Sequence, residues 1–299
     1  MMKEQRIGKE TGSDKMFTVL ISILSCIILL AVSYPLIYVI SASFSSPGAL
    51  MSGRVWLLPV EPGLEGYKAV IAYKNVWTGY ANSLFYTIIG TCINVVLTIA
   101  AAYPLSRKDL SGRKFILLLF TFTMIFSGGM IPTYLLVKDL GLLNTRWALL
   151  IPNALSVFNV IVAMSFFRSN IPDELLESAK IDGCSNFRFM TSIVLPVSGA
   201  IIAVISLFYA VDHWNSFFDA LLYLSDKNKY PLQIFLREIL LLNTSDNLTL
   251  DVADQNQRLY LNELLKYSLI IFASLPLIIM YPFVQKHFVK GVMIGSLKG

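Results

Sequence analysis

The stretch ELLESAKIDGCSNFRF, residues 174–189, is a charged segment set between two long apolar blocks, residues 146–167 and 193–224. A charged side chain at the centre of a bilayer is unfavourable by about 2.5 to 3.5 kcal/mol on insertion scales, so charges collect at turns outside the hydrocarbon. The segment therefore indicates a surface turn between two membrane helices, and the rest of the chain divides into blocks around it.

The composition places the whole chain in a lipid bilayer. Of its 299 residues, 56% are hydrophobic and only 14% are charged. This leaves too few polar groups to cover a soluble globule, and more apolar surface than one core can hide. Six apolar blocks match the roughly 20 residues that a helix needs to cross a membrane. They span residues 17–40, 82–105, 115–137, 146–167, 193–224 and 264–283. We therefore predict an all-α membrane protein with six transmembrane helices.

The first block has a second interpretation, as a cleaved signal peptide. Lys3, Arg6, Lys9 and Lys15 precede it, and the small residues SAS follow at 41–43. Because the block is longer than the roughly 7–15 apolar residues of a signal peptide, a retained first helix is favoured.

The distribution of Lys and Arg predicts the orientation. The N-terminal tail, residues 106–114, residues 168–191 and the C-terminal tail hold more than half of the 24 basic residues. Because basic residues concentrate on the cytoplasmic side, we predict cytoplasmic tails at 1–16 and 286–299 around a membrane domain at 17–285. The charged loop 168–192 is then cytoplasmic, and the long loops 41–81 and 225–263 are extracytoplasmic. The net charge of +5 reflects this topology, so no nucleic-acid partner is expected.

The cysteines suggest no structural chemistry. Cys26 and Cys92 lie inside apolar blocks and Cys184 lies in the charged segment. Three cysteines in these positions form neither a disulfide framework nor a metal site, and we expect no bound metal.

The charged segment has the signals of a short helix. Pro172 is placed to open it, and the acidic residues Asp173, Glu174 and Glu177 lie near the positive end of the helix dipole. Gly183 is placed to end it in a left-handed conformation. The result would be a short helix parallel to the membrane, with small side chains and exposed carboxylates, suited to dock into a groove on another protein.

The sequence ESAKIDGCSNFRFMTSIVLP, residues 177–196, resembles the EAA loop of permease subunits in binding-protein-dependent ABC importers. The pattern of that loop is matched directly by Glu177, Ala179, Asp182, Gly183, Leu195 and Pro196. Ser178 and Cys184 replace alanines, so the side chains stay small. The resemblance makes Glu177, Ser178, Ala179, Asp182, Gly183 and Cys184 the candidate residues for coupling to an ATPase.

The resemblance extends over most of the chain. Residues 82–107, 128–145, 213–224, 230–233 and 281–299 are similar to carbohydrate importer permeases of the MalG type, and most of all to the LplC/YtcP-like branch. This implies the MetI-like permease fold with a cytoplasmic coupling (EAA) helix, in a bacterial cytoplasmic membrane. It also implies an oligosaccharide, derived from a polysaccharide, as the substrate.

The resemblance further implies the partners. They are a second permease subunit, two cytoplasmic ATPases that bind ATP and Mg, and an extracytoplasmic sugar-binding protein or lipoprotein. The chain itself would bind no cofactor and carry no catalytic residues, which agrees with the absence of a G-x-x-x-x-G-K-[ST] motif in the sequence. The alternatives are an ion-driven secondary transporter and a membrane-embedded transferase, but charged residues inside the blocks are too few for either.

Four neighbouring residues form the candidate substrate pathway. Asp212, His213, Trp214 and Asn215 are the most polar cluster within an apolar block. Trp214 could stack on a sugar ring, with His213 and Asn215 as hydroxyl partners. Alternatively, the cluster caps the helix near the membrane interface, with Trp214 in an aromatic belt.

Three other segments keep two interpretations each. Gly128 and Gly129, with Pro132, Thr133 and Tyr134, form either a helix break that lines the route or a packing contact. The loop 225–263, with its NKYPLQ segment, either meets the binding protein or shields the bundle. The C-terminal tail KGVMIGSLKG either lies against the ATPases or is a disordered end.

Overall fold

A computed structural model describes residues 12–245, 260, 263 and 265–282. Every regular element in this part of the chain is a helix, which confirms the all-α prediction there. The helices, in chain order, are α1 (Gly12–Ser43), α2 (Pro47–Met51), α3 (Glu65–Ala72), α4 (Lys74–Ser106), α5 (Arg113–Ile125), α6 (Met130–Asp139), α7 (Trp147–Leu150), α8 (Val157–Asn170), α9 (Asp173–Ile181), α10 (Asn186–Phe189), α11 (Leu195–Val197), α12 (Gly199–Asn215), α13 (Phe218–Tyr223), α14 (Leu232–Ser245) and α15 (Leu265–Pro282). A π-helical turn, Met190–Val194, joins α10 to α11, and a 3-10 turn, Lys227–Lys229, precedes α14.

Three helices are long and apolar enough to cross a membrane unbroken. They are α1, α4 and α15, and they correspond to the first, second and sixth predicted blocks. In α1 the helix continues through Pro35, and α4 begins at Lys74, earlier than the predicted start at residue 82.

Two predicted blocks are bent pairs of helices rather than straight spans. The third block consists of α5 and α6, whose axes differ by 112° across Gly128 and Gly129. Glycine is a poor helix former, and Gly129 has a φ of 87°, which no helix accommodates. At the start of the fifth block, the axes of α12 and of the Asn186–Val197 helix, which begins in the predicted charged loop, differ by 82°. There Pro196 lacks the N–H that a continuous helix needs, and the π-helical turn precedes it.

The fourth predicted block, residues 146–167, also differs from a single straight helix. It contains α7, an irregular stretch at 151–156 and then α8, a helix of 14 residues. Pro152 lies in the irregular stretch, and the hydroxyl of Ser156 accepts the N–H of Asn159 to start α8. Counting each bent pair as one span, up to five elements of the described chain meet the length and composition of a membrane span, against the six expected.

The described chain forms two compact units. The first contains the described parts of Met1–Val70 and Leu242–Phe272. In it, α1 is exposed along most of its length, and only Ser41, Ala42 and Ser43 at its end are buried. The Oγ of Ser41 donates to the carbonyl of Leu57 (2.6 Å), so the segment after α1 folds back on the helix end. The apolar exposed side chains of α1 suit a lipid environment.

The second unit contains Ile71–Leu241 and the described residues from Ala273 onward. Its centre is α4, which packs against α8 and α12. One apolar core surrounds the C-terminal half of α4 and includes Tyr103, Phe167 and Phe189. A second core gathers Tyr86, Leu150 and Tyr223 near the beginning of α4. Because α4 has 33 residues and no break, it is about 50 Å long, and it contributes residues to both cores.

Candidate functional site

The helix α9 lies within the predicted charged loop. Pro172 precedes it in an extended conformation, and Asp173 and Glu174 form its first turn. At its end, Gly183 has a φ of 72°, its N–H donates to the carbonyl of Lys180 (3.1 Å), and the N–H of Cys184 donates to Ala179 (2.9 Å). These two bonds form a Schellman motif, which glycine permits because it has no Cβ. The left-handed conformation predicted for Gly183 is therefore confirmed.

The two faces of α9 have different surroundings. Ala179 is only 7% exposed and packs into the core beside α4 and α8, with Leu176 and Cys184 against the same core. Glu177, Ser178 and Asp182 are exposed, and Ile181 is 87% exposed. Of the six residues predicted to couple to a partner, Ala179 thus anchors the helix to its own chain, while Glu177, Ser178, Asp182 and Gly183 face outward.

The segment after α9 returns to the core at once. The hydroxyl of Ser185 accepts the N–H of Arg188 and starts α10. Phe189 is 1% exposed and lies 6.5 Å from the ring of Tyr103 on α4, whereas Phe187 is 73% exposed. The surface of this region therefore combines carboxylates with large exposed apolar side chains.

A second loop, residues 107–112, contacts the charged segment through hydrogen bonds and ion pairs. Arg107 donates to both carboxylate oxygens of Asp109, to the hydroxyl of Tyr103 (3.2 Å) and to Oδ1 of Asn186 (2.9 Å). This hydrogen-bonded guanidinium lowers the pKa of Asp109 to about 2. The basic residues of this loop predicted only the topology. The closeness of Asp109 to two basic residues, Arg107 and Lys108, was the only local sign of the role of the loop.

Two exposed ion pairs join the same loop to α9. Lys108 contacts Asp173 (2.6 Å) at the start of the helix, and Asp109 lies 3.6 Å from Lys180 near its end. The side chains of all four residues are at least half exposed, so solvent screens both pairs and their contribution to stability is small.

A cavity of about 350 Å³ lies beside the end of α12. It is lined by Asp212, His213 and Asn215 from the predicted pathway cluster and by Asn153 and Asp219 from neighbouring segments. Phe217 and Phe218 form an apolar part of the cavity wall. A cavity with several polar groups and aromatic rings can bind a hydroxyl-rich ligand.

Hydrogen bonds connect the residues around this cavity to Asn94 in the middle of α4. The ring of His213 is buried, and its Nε2 lies 3.4 Å from Oδ1 of Asn94. Asn94 donates to the carbonyl of Asn153 (2.9 Å), and the side chain of Asn153 donates to Asp219 (2.5 Å). Asn94, Asn153 and Asp219 were not predicted as site residues, since they lie far from the cluster or outside its pattern.

The structure places Trp214 apart from the other three cluster residues. It is 2% exposed, its Nε1 donates to the carbonyl of Ala273 (2.9 Å), and Tyr80 meets its ring edge-on at 5.4 Å. Its ring has no free face for a sugar, and neither of the two roles considered for it fits a side chain buried in this way.

The remaining candidate segments have distinct positions. Gly128 and Gly129 lie in the break between α5 and α6, and the role of this break in lining the route stays a prediction. The NKYPLQ segment binds the start of α4, where Asn82 donates to the carbonyl of Asn228 (2.7 Å) and Tyr86 to that of Lys229 (2.8 Å). The tails 1–11 and 283–299 and most of the loop 246–264 lie outside the described residues. Within the described part, no three His, Cys, Asp or Glu side chains are arranged to hold a metal ion.

Comparisons with known proteins agree on one class. The chain is 44% identical over 266 residues to the polygalacturonan/rhamnogalacturonan transport system permease protein YtcP of Bacillus subtilis, covering 89% of this chain and 92% of that protein. It is also 44% identical to the protein LplC of Bacillus subtilis, covering 89% of each chain. No family model matches the chain.

A solved structure matches the fold. It is a crystal structure of a bacterial ABC transporter involved in the import of the acidic polysaccharide alginate. The TM-score is 0.83 and the identity is 34%, and the match covers 96% of this chain and 100% of the other.

Proposed function

Because the chain belongs to the permease subunits of sugar-importing ABC transporters, we propose that it forms half of a transmembrane pathway through which an oligosaccharide enters a bacterial cell. The second half of the pathway is a different permease subunit. Two cytoplasmic ATPases and an extracytoplasmic sugar-binding protein or lipoprotein complete the importer.

The observation that carries the coupling role is the exposed face of α9. A short helix, fixed to its own core by Ala179, presents Glu177, Asp182 and Ile181 outward. An exposed side chain as apolar as Ile181, beside carboxylates, suits a groove with basic and apolar walls on another protein. In the proposed assembly this helix is the EAA coupling helix, and each ATPase receives one such helix from one permease subunit.

The energy source lies on the partner subunits in this proposal. ATP and Mg bind the ATPases, and the chain described here binds no cofactor and performs no catalysis. Closure of the ATPase dimer by ATP would draw the two coupling helices together and open the pathway outward, and hydrolysis would reset it. ATP can drive this change only if it binds one global state more tightly than the other.

The proposed topology follows the basic residues and the helices together. Six crossings result if α8, with α7 before it, counts as the fourth span beside the three single helices and the two bent pairs. Both termini and the loop 168–192 would lie in the cytoplasm, and the loops 41–81 and 225–263 outside. In this arrangement the cavity at Asp212 lies toward the extracytoplasmic side, where a delivered sugar would enter.

The proposed substrate is an oligosaccharide released from a polysaccharide. Two observations support this class: the polysaccharides named for the relative YtcP and for the alginate importer, and the cavity lined by Asp212, His213 and Asn215. Side-chain amides, carboxylates and imidazole are suitable partners for sugar hydroxyls.

Affinity purification in mild detergent tests the assembly. With a tag on this chain, we expect one companion permease and two ATPase copies for each tagged subunit. Reconstituted with the binding protein in liposomes, the complex should hydrolyse ATP faster when oligosaccharide is present and should take the oligosaccharide up. Uptake by the purified chain alone, without ATPases or ATP, would contradict the proposal.

A further inference from the structure

The attachment of α9 to the rest of the permease depends on few contacts. The helix has nine residues, and an isolated helix of that length is marginal in water. Only one of its residues, Ala179, is buried. A force applied to α9 by a partner therefore reaches the membrane helices through the short backbone connections to α8 and α10 and through the side chains that fix the segment to its surroundings.

Arg107 provides such a contact at the cytoplasmic end of α4. Its side chain is only 13% exposed, and its guanidinium bonds Asp109, Tyr103 and Asn186 at the same time. Asn186 is the first residue of α10, three positions after the Gly183 turn that ends α9. Three acceptors around one planar group require the fork of arginine, since a lysine ammonium is a single point.

Apolar contacts lie beside the hydrogen bond between Arg107 and Asn186 and reinforce it. Phe189 and Phe167 lie 6.5 Å and 6.4 Å from the ring of Tyr103, and the guanidinium of Arg107 lies 5.9 Å from that ring. The end of α4 thus contacts the segment beyond α9 through both a charge-assisted hydrogen bond and a packed aromatic cluster. Charge-assisted bonds are about twice as strong as neutral ones.

On the other side of this contact, Arg107 directly follows α4, a helix without a break. Further along α4, Asn94 bonds His213 and the backbone of Asn153, which border the cavity beside α12. A displacement of the end of α4 would move these residues with it, because a helix without a break transmits motion along its axis. The same helix therefore links the charged segment to the candidate sugar cavity.

We propose that Arg107 is a positioning residue that joins the segment 173–189 to α4, so that motion of the coupling helix is passed to the substrate cavity. This inference rests on the proposed function. The two exposed ion pairs, Lys108 with Asp173 and Lys180 with Asp109, contribute little to the attachment, since exposed pairs are screened by solvent.

The test uses the whole importer in liposomes and measures oligosaccharide taken up per ATP hydrolysed. Arg107→Lys and Asn186→Ala should each lower this ratio by about tenfold, the change expected from one lost charge-assisted hydrogen bond. Asn186→Asp keeps an acceptor for Arg107 and should keep the ratio of the unmodified importer. Lys108→Gln, which removes a neighbouring exposed charge, should also leave the ratio unchanged.

The double variant separates this role from direct contact with an ATPase. If Asn186 acts through Arg107, Asn186→Ala should add nothing to Arg107→Lys. Effects that multiply in the double variant, or single variants with an unchanged ratio, would overturn the proposal. Should Arg107→Lys fail to assemble, the contrast between Asn186→Ala and Asn186→Asp decides the question, because Asn186 is exposed. If the unmodified complex shows no ATP hydrolysis stimulated by oligosaccharide, the proposed function itself fails instead.

Discussion

Gly90 on α4 lies directly against the imidazole of His213 on α12. A Cβ built on Gly90 would be 2.3 Å from Nε2 of His213 and 2.5 Å from its Cε1. The ring is buried and hydrogen-bonded to Asn94, one helical turn further along α4. The absence of a side chain at position 90 is therefore what lets α4 and α12 approach closely enough to form the wall of the cavity.

We predict that Gly90→Ala destabilises the permease. The added methyl group forces either the buried imidazole or a helix to shift, and overpacking of this kind costs about 1 to 3 kcal/mol. A thermal melt of the purified complex should show a lower transition temperature. Gly199→Ala is a matched control, because a Cβ at Gly199 on α12 meets nothing within 4 Å. An unchanged melting temperature for Gly90→Ala would show that the ring moves freely.

Some of this architecture could be predicted from local sequence. The helix α9 ends at Gly183 because its Schellman bonds involve residues within one turn, and such signals are visible in a short window. A helix break at Gly128 and Gly129 was one of two interpretations of that segment, but hydropathy averaged over a block does not show how far the helix axis turns there or at Pro196. The apolar blocks therefore predicted composition but not the bend angles of 112° and 82°.

The contacts that assemble the site could not be predicted from one sequence. Arg107 and Asn186 are 79 positions apart, and Asn94 and His213 are 119 apart. Only folding brings these pairs together, and no local pattern distinguishes Arg107 from the other basic residues of its loop. Trp214 shows the same limit, because a tryptophan beside polar residues reads as a binding residue until its burial is known.

Gly183→Val should weaken coupling without preventing membrane insertion. Valine strongly disfavours a φ of 72°, so the end of α9 must rearrange even though the site has open space. Gly183→Asn should retain most activity, since asparagine tolerates the left-handed conformation. ATP hydrolysis stimulated by oligosaccharide in liposomes measures both variants. Equal stimulation with valine and asparagine would show that the backbone geometry at this turn is not needed.

Asp212→Asn should change the selectivity between acidic and neutral sugars. Asp212 and Asp219 line the cavity, and no Lys or Arg is among its described lining residues. A uronate near these carboxylates is repelled by about 1 to 4 kcal/mol at 4 Å, depending on how much water screens the charges. We expect uptake of uronate oligosaccharides, relative to neutral ones of equal length, to rise by about fivefold or more, since about 1 kcal/mol of lost repulsion corresponds to about fivefold.

The same binding protein is used with the Asp212→Asn permease and with the unmodified permease. Its own preference among sugars therefore does not change the comparison of the two uptake ratios. Asp139→Asn removes an exposed carboxylate that does not line the cavity, and it should leave the ratio unaltered. A ratio that stays constant in Asp212→Asn would place the sugar elsewhere in the pathway.

The Arg107–Asp109 pair should make no contribution to the pH dependence of transport near neutrality. The hydrogen bond from Arg107 holds the pKa of Asp109 at about 2, below the ordinary value of about 3.9. Because the folded pKa is lowered, the stabilisation is complete above the unfolded value and is lost only as the pH falls toward 2. Between pH 5 and 8, the ratio of transport rates of Asp109→Asn and the unmodified importer should stay constant. If that ratio changed with pH within this range, the low pKa assigned to Asp109 would be wrong.

Glu177→Lys should uncouple ATP hydrolysis from transport while the permease itself remains intact. Glu177 is exposed, and the structure assigns its side chain no hydrogen bond or ion pair within the described chain, so the substitution leaves the fold undisturbed. In the proposed complex the carboxylate meets a basic wall of the ATPase groove, and a lysine there would place like charges together. Such a juxtaposition costs several kcal/mol when the contact is desolvated.

Size-exclusion chromatography of the tagged complex should therefore show loss of the ATPase subunits, with the two permease subunits still paired. Glu177→Gln keeps the shape and some hydrogen bonding, and it should give an intermediate loss. If Glu177→Lys keeps a full complement of ATPases and transports normally, α9 does not present this carboxylate to a partner, and another part of the cytoplasmic surface must receive the force.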